Sequence, residues 1–170
     1  MDNHTLFAEK QRFNQWWVWA ILIIVNGGQI AAAAFQIISG RSLGNKPMSN
    51  TEFLVVVAIA LLISFSVLAF RLETQVRADG IYVRFFPFHR KFKHFAWDDL
   101  RKVYVRKYAP IGEYGGWGYR IGWPDKGGAY NVSGNQGLQL EFNTGKKLLI
   151  GTRKPEALAA VLQQIGQYRA

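Results

Sequence analysis

The fold is decided by two apolar stretches early in the chain, WWVWAILIIVNGGQIAAAAFQII at residues 16–38 and FLVVVAIALLISFSVLAF at residues 53–70. The first has 23 residues and the second has 18, and neither contains Asp, Glu, Lys, Arg or His. A bilayer core about 30 Å thick needs roughly 20 apolar helical residues to cross it. The stretches therefore predict a membrane hairpin of two transmembrane helices over residues 16–70. A cleaved signal peptide is disfavoured, because its apolar region is only about 7–15 residues long.

The distribution of basic residues predicts the orientation of this hairpin. Three tryptophans, Trp16, Trp17 and Trp19, open the first stretch, where indole rings are typical of the headgroup level. Lys10 and Arg12 precede it, and several arginines follow the second stretch: Arg71, Arg77, Arg84 and Arg90. The loop at residues 39–52 contains only Arg41 and Lys46. Since Lys and Arg are enriched in cytoplasmic segments, both termini are predicted to be cytoplasmic, with residues 1–15 as a short leader.

The first stretch has an amide-bearing face at helical periodicity, formed by Asn26, Gln29, Ala33 and Gln36. Amides in hydrocarbon need hydrogen-bond partners, so this face is predicted to contact protein. Gly28 and Ala32 add a small-xxx-small pair that permits close helix approach. Packing against the second stretch and packing against a second copy or another protein both fit this pattern. No ionisable residue lies in either stretch, which argues against a transport pathway.

The remaining hundred residues, 71–170, are polar and basic. They hold 17 Lys and Arg against 8 Asp and Glu, and so carry nine of the chain's ten net positive charges. A basic domain tethered to a bilayer can contact anionic lipid headgroups, or its charge can simply be solvated. The chain has no cysteine, which excludes disulfides and thiolate ligands.

Short strands with turn signals between them fill most of this tail. Asp79-Gly80 is a strong hairpin signal, and Leu138, Leu140 and Phe142 alternate with polar residues as in a half-buried strand. About seven or eight strands are predicted, at residues 73–78, 81–86, 92–97, 102–108, 119–123, 129–132, 138–142 and 147–150. A final helix begins at Pro155, with an apolar stripe from Leu158 to Tyr168. The tail is therefore predicted to be a mostly-β barrel or sandwich with a C-terminal helix.

Seven strands followed by an amphipathic helix is also the plan of the pleckstrin-homology (PH) domain. The segment Trp97–Val103 resembles the approach to a middle strand of bacterial PH-like domains. The segments Gly137–Phe142, Gly145–Thr152 and Pro155–Leu158 resemble their last hairpin and the start of their helix. With the two helices, about 150 residues are similar to small bacterial inner-membrane proteins that join a helical hairpin to a PH-like domain. The resemblance implies the bacterial plasma membrane and brings no catalytic residues.

Two segments of the tail are candidate contact surfaces. Phosphoinositide-binding PH domains place basic residues between their first two strands, but the Asp79-Gly80 turn leaves no room for them. Basic residues instead lie further on among aromatic ones, at Arg90, Lys91 and Lys93; they can meet lipid phosphates, or can be solvent-facing strand residues with Phe turned inward. The glycine-rich run at 112–120 predicts either a structural turn or a rim loop for a partner or ligand, through Tyr114, Trp117, Tyr119 and Arg120.

No residue pattern predicts catalysis, a cofactor or a metal. The glycine-rich run lacks phosphate-loop spacing, and His89 and His94 are five residues apart, which fits neither a helix face nor a strand face. We therefore expect a non-enzymatic membrane protein that presents its PH-like domain to a protein partner, to a second copy of itself or to anionic lipid. An accessory subunit of a membrane transport or envelope complex is an alternative, and an enzyme or small-ligand carrier is another. Nucleic acid is not an expected partner.

The hairpin predicts that reporters placed after Ala170 and within residues 40–46 lie on opposite sides of the membrane. The reason is the excess of Lys and Arg on both outer flanks of the hairpin. A compartment-sensitive enzyme fusion measures this directly, with a fusion ahead of Met1 as the control that should match the Ala170 fusion. Signals from the same side at Ala170 and in the loop would exclude the hairpin.

Overall fold

The computed structural model describes residues 4–40, 49–123 and 126–170 and divides the chain into two compact units. A helical unit comprises Phe13–Ala69, and a β unit combines Met1–Arg12 with Phe70–Ala170. The chain leaves the β unit after Arg12 and returns to it at Phe70. The helical unit is therefore inserted within the β unit and does not simply precede it.

The helical unit consists of α1, Trp16–Ser39, and α2, Asn50–Val67. Both helices are long and apolar enough to cross a membrane, as the sequence predicts. α2 begins before residue 53 because Ser49 and Glu52 form a capping box, in which each side chain accepts a hydrogen bond from the other residue's backbone N–H. It ends at Val67 and not at residue 70. Most of the predicted external loop, including Arg41 and Lys46, lies outside the described residues.

The β unit contains two sheets and a C-terminal helix. Sheet A has the order β1-β2-β3-β4 and consists of β1 Thr5–Arg12, β2 Arg71–Arg77, β3 Gly80–Phe86 and β4 Lys93–Ala96. Sheet B has the order β5-β8-β9-β7-β6 and consists of β5 Leu100–Lys107, β6 Gly118–Trp123, β7 Gly127–Asn131, β8 Gln136–Phe142 and β9 Lys147–Gly151. A 3-10 turn at Trp97–Asp99 connects the sheets, α3 is Pro110–Tyr114, and α4 is Pro155–Gln164.

All eight strands predicted in the tail are present, within a few residues of their predicted bounds. The β2–β3 hairpin turns at Asp79-Gly80, where Gly80 has a φ of 154° and a Cβ would lie 2.3 Å from the Phe95 carbonyl oxygen. Only glycine fits such an approach. Along β2 the residues alternate strictly, with Leu72, Thr74 and Val76 buried and their neighbours half-buried on the other face.

Sheet B is not a simple meander. β5, β8 and β9 are successive antiparallel neighbours, whereas β7 pairs with the other edge of β9 in parallel. β6 then pairs with β7 and forms one edge of the sheet. The segment between β5 and β8 is therefore an added α3–β6–β7 element, attached to the edge that β9 would otherwise leave open.

The N-terminal leader differs from the prediction. We expected residues 1–15 to lie outside the β domain, but Thr5–Arg12 form β1 and pair with β2 in antiparallel register from Phe7–Val76 to Arg12–Arg71. The inward face of β1 contains Glu9 and Gln11 beside Phe7, so it lacks the apolar alternation that identifies strands.

Glu9 and Gln11 form hydrogen bonds with groups that are distant in the chain. The Glu9 carboxylate accepts hydrogen bonds from the Thr152 hydroxyl at 2.6 Å and the Arg153 backbone N–H at 2.8 Å. Gln11 Nε2 donates to the Gly151 carbonyl at 2.7 Å. β1 is thus held to Gly151 at the end of β9 and to the two residues that follow it. The two Glu9 hydrogen bonds are charge-assisted, and such bonds are about twice as strong as neutral ones.

The core lies between the inward faces of the sheets, and α4 closes it. Leu158 and Leu162 of α4 are fully buried, and α4 contacts β1, β5 and β8. Pro155 occupies the first helical turn, where its missing N–H is tolerated. The residues after α4 return to sheet B, because Val103 and Arg169 exchange backbone hydrogen bonds of 2.8 Å.

Replacing Phe7 by Ala should destabilise the β unit by about 3 kcal/mol, because a buried aromatic ring is lost and a cavity is left. Leu6→Ala is the matched control; Leu6 is 43% exposed, whereas Phe7 is 7% exposed. Thermal unfolding of the full chain in detergent, followed by hydrogen exchange of β2 amides, measures the difference. Equal stability of the two variants would show that β1 is not part of the folded unit.

Candidate functional site

The basic segment predicted from the sequence forms the connection between β3 and β4. Arg90 and Lys91 are exposed, and no hydrogen bond or ion pair to either is found within the described chain. Lys93 begins β4, where its Nζ donates to the Tyr130 hydroxyl at 3.3 Å and lies 5.7 Å from the centre of that ring. Of the three cations, Arg90 and Lys91 thus lie in the exposed part of the connection, and Lys93 contacts the ring of Tyr130.

Four aromatic rings, which we call the aromatic stack, lie beside this connection: Phe70, Phe88, Tyr119 and Tyr130. Phe88 stacks on Phe70 with centroids 5.8 Å apart and planes inclined by 6°. Phe88 also stacks on Tyr119 at 4.9 Å, and Tyr119 stacks on Tyr130 at 5.0 Å. Phe88 is nevertheless 58% exposed. The stack therefore joins the start of β2, the β3–β4 connection and the β6–β7 hairpin, and it leaves one apolar ring open.

His89 fixes the backbone of this connection. Its ring is buried, and ring Nδ1 accepts a hydrogen bond from the Phe85 backbone N–H at 3.3 Å. The His89 backbone N–H in turn donates to the Phe85 carbonyl at 2.8 Å. The His89 ring packs in T-shaped geometry against Tyr119 and Tyr130, with ring centroids 5.3 and 5.2 Å apart. Burial, with a smaller contribution from the Lys93 charge, lowers the pKa of His89. A neutral imidazole is what the hydrogen bond from Phe85 requires, since Nδ1 must keep its lone pair.

His94 lies apart from His89, in a different environment. It stacks on Tyr82 at 4.4 Å, and its Nε2 lies 3.6 Å from the Asp79 carboxylate. Among the described residues, no group of three His, Cys, Asp or Glu side chains is placed to hold a metal ion.

The glycine-rich segment is more enclosed than predicted. Tyr114 is the clear correction, because its ring is buried in a cluster with Tyr108, Ala129 and Leu149 on the outer face of sheet B, and so cannot serve as a rim contact. α3 places it there. Burial raises the pKa of the Tyr114 hydroxyl, which also accepts a hydrogen bond from Arg106 at 3.1 Å.

The other predicted rim residues make contacts within the domain. Trp117 Nε1 donates to the Gly134 carbonyl at 2.9 Å, and the Arg120 guanidinium donates to the Trp117 carbonyl at 3.0 Å. Tyr119 belongs to the aromatic stack. The predicted residues are therefore divided between two places. Tyr119 lies with Lys93 near Tyr130. Tyr114 is buried on sheet B, and Trp117 is hydrogen-bonded to Gly134.

A polar cleft of about 300 Å³ borders α3, and its two acids are both paired. Glu113 is held by Arg106 at 2.8 Å, and this hydrogen bond lowers the pKa of Glu113. Burial opposes ionisation of Glu141, but hydrogen bonds from Arg101 at 2.9 Å and Tyr104 at 3.2 Å outweigh it and lower the pKa. Both carboxylates are thus kept ionised as ion-pair partners, the state opposite to that of a general acid.

In the helical unit, two of the predicted amides lie at the contact between the helices. Asn26 Nδ2 donates to the Ser64 hydroxyl at 2.8 Å, and Gln36 Nε2 donates to Asn50 Oδ1 at 2.9 Å. Gly28 is exposed, and nothing in the described chain lies within 4 Å of the position of a Cβ there. Ala32 and Gln29 are half-buried. The amides Asn26 and Gln36 therefore pair within the chain, while the small-residue pair is not what joins α1 to α2.

No protein-family model matches the chain, and no curated protein matches it.

Three residues of the aromatic stack are not predicted as site residues from the sequence: Phe70, Phe88 and Tyr130. Phe88 had a detectable signal, since it lies in the aromatic run that precedes Arg90. Phe70 and Tyr130 had none, because their meeting depends on sheet A and sheet B coming together at this end.

Acidification should weaken the β3–β4 connection. The pKa of His89 is lower folded than its ordinary value of about 6.5, so the unfolded chain takes up the proton first. The stability that His89 contributes is therefore fully present above a pH of about 6.5. It is lost as the pH falls through the pKa of His89 in the folded chain. Comparing thermal unfolding at neutral and acidic pH measures the loss.

His89→Asn should remove this pH dependence of the stability, because Asn Oδ1 can accept a hydrogen bond from the Phe85 N–H and does not titrate. His94→Asn is the control and should retain it. An unchanged pH dependence in His89→Asn would show that His89 does not govern the stability of the connection.

Proposed function

We propose that this chain is an integral protein of the bacterial plasma membrane, with both termini in the cytoplasm, whose PH-like domain is a non-enzymatic module that binds anionic lipid. Support for the membrane location comes from the two helices and from their uncharged composition. Support for the orientation comes from the excess of Lys and Arg on both flanks of the helices.

Strand topology supports the PH-like assignment. Without the added β6–β7 hairpin, seven strands remain, namely β1 to β5, β8 and β9, followed by the C-terminal helix. With β1 included, the connection between the first two strands is the helical unit itself. That is the connection in which phosphoinositide-binding PH domains place their basic residues. In this chain, a membrane hairpin occupies the position of the lipid-binding loop.

The observation that carries the proposal is the stacking of Phe88 on Phe70. Phe70 is three residues beyond Val67, the last residue of α2, so peptide geometry keeps it within about 10 Å of that helix end. Phe88 and the cations that follow it are therefore tied to the point where the chain joins the helices. A loop held there meets the bilayer surface if α2 crosses the membrane.

The chemistry of the loop suits that surface. Phe88 is an exposed ring that can enter the interface. Arg90 and Lys91 are exposed, have no hydrogen-bond or ion-pair partner among the residues that the structure describes, and can meet lipid phosphates. Each basic side chain near an anionic surface contributes about 1 kcal/mol. Since His89 is buried between these residues, the loop is held in one conformation and loses little entropy on contact.

A protein partner is the second candidate, favoured by a different observation. β6 is an edge strand of sheet B, and its Ile121 is 87% exposed, while Ile111 on α3 is 71% exposed. Exposed apolar side chains beside an unpaired strand edge are typical of surfaces that add a partner's strand. This surface, with the open Gly28 position on α1, is where an accessory-subunit role or a homo-oligomer would have its contacts.

The lipid proposal predicts contact between residues 86–93 and anionic headgroups in the full-length protein. Reconstitution in nanodiscs with a photoactivatable anionic lipid, followed by peptide mapping, should place crosslinks in this segment. Arg90→Gln with Lys91→Gln should reduce the crosslinking, since roughly 2 kcal/mol of attraction is removed. Lys107→Gln with Lys146→Gln is the matched control, because it removes two exposed cations from other surfaces. Crosslinking that is equal in the two double variants would refute the proposal.

A further inference from the structure

The outer face of sheet A carries a second concentration of positive charge, separate from the β3–β4 loop. Alternate residues of β1, β2 and β3 point to this face. The strand register arranges these residues in rows across the sheet. One row is Arg12–Arg71–Phe86, and the next is Lys10–Glu73–Arg84. We call this surface the arginine face and define it by its five basic side chains, Lys10, Arg12, Arg71, Arg77 and Arg84.

Three of these arginines are held over aromatic rings. The guanidinium carbon lies 4.6 Å from the ring centre in the pair Arg71–Phe86 and 4.5 Å in the pair Arg77–Tyr82. Arg84 lies 4.6 Å over Phe92, in the β3–β4 connection. A guanidinium stacked through its face still presents its N–H edges. Arg71 and Arg84 direct part of that edge to Glu73, and Arg77 donates one N–H to Gln75, so the remaining N–H groups are the ones that an anion can bind. Because the rings already fix these long side chains, binding an anion costs less entropy than it would for mobile ones.

The face is far from electrically neutral. Its strands place one acid on this face, Glu73, since Glu9 of β1 points inward. The Glu73 carboxylate is shared by Lys10 at 3.7 Å, Arg71 at 3.1 Å and Arg84. Arg12 lies directly opposite Arg71 in the register, with no acidic residue in that row. Like charges directly across a strand pair are unfavourable in isolation, so this row is stabilised by any anion that approaches it.

The shape of the array points to an extended anionic surface. Rows of a strand pair recur about every 7 Å along the sheet, so the cations are spread over an open face. The row that contains Arg12 and Arg71 is also where the chain leaves β1 and enters β2, at the two ends of the helical unit. A surface tethered at that point is at high effective concentration.

We propose that the arginine face docks onto the anionic headgroups of the membrane that holds the helices, so that sheet A lies against the bilayer. This inference rests on the proposed membrane location. It extends the lipid contact from the β3–β4 loop to a whole sheet face and makes the lipid phosphates the ligands of fixed guanidinium groups. The domain then has two contact regions that meet at the row Arg71–Phe86, where the loop begins.

The absence of cysteine allows a direct distance measurement in the full chain. Ala8 is exposed on this face, and Ala160 is exposed on α4. Each is replaced in turn by Cys, coupled to a donor dye and reconstituted in nanodiscs with an acceptor-labelled headgroup. The probe surface is phosphatidylglycerol-containing lipid, compared with pure phosphatidylcholine. Energy transfer from Ala8→Cys should rise in the anionic discs and fall again with added salt, and transfer from Ala160→Cys should not.

Charge variants then test which cations are responsible. Lys10→Gln with Arg12→Gln, made in the Ala8→Cys chain, should lower the ratio of docked to undocked protein by about fivefold for each cation removed. Lys107→Gln with Lys146→Gln should change it much less. Both pairs are exposed, so thermal unfolding should show that each variant remains folded.

The outcomes separate this inference from the proposed lipid module. If the loop still crosslinks to anionic lipid but the Ala8 donor does not approach anionic discs, the arginine face is not a docking surface and the loop proposal remains. If neither contact is seen, both proposals fail. Approach that is insensitive to lipid charge, or energy transfer between two labelled copies in one disc, would assign the face to a protein contact and overturn the inference.

Discussion

The pairing of β1 with β2 is the constraint on which the rest of this structure depends. Arg12 and Arg71 are neighbours in the register, although the whole helical unit lies between them in the chain. Paired strands are about 5 Å apart, so both ends of the helical unit are fixed at one end of sheet A. Closing this long loop costs entropy, which the β1–β2 ladder and the Glu9 and Gln11 hydrogen bonds must offset.

This constraint also determines what lies near the helices. The row that contains Arg12 and Arg71 continues to Phe86, the last residue of β3 before the connection that carries Phe88, Arg90 and Lys91. The stacking of Phe88 on Phe70 closes that connection against the start of β2. Positive charge and one open aromatic ring therefore collect at the end of the β unit where the helices attach, and both lipid proposals follow from that arrangement.

Sheet B serves a different purpose in the molecule. Its β5, β8 and β9 complete the core with α4, while the added β6–β7 hairpin supplies Tyr119 and Tyr130 to the aromatic stack. On its outer face, α3 covers Ala129 and Leu149 with Tyr114. The acids Glu113 and Glu141 lie beside this covered region, and their hydrogen bonds with Arg106, Arg101 and Tyr104 lower their pKa values and keep them ionised.

The sequence by itself determined the elements with a local, periodic signal. The uncharged stretches predicted α1 and α2, alternation predicted β8, and Asp79-Gly80 predicted the β2–β3 turn, because each of these depends on neighbouring residues alone. Only the tertiary structure decided that residues 5–12 form a strand, that Tyr114 is buried and that five cations share one face of sheet A. Those outcomes depend on register and on contacts such as Glu9 with Thr152, 143 residues apart in the chain, and no local pattern encodes a partner that distant.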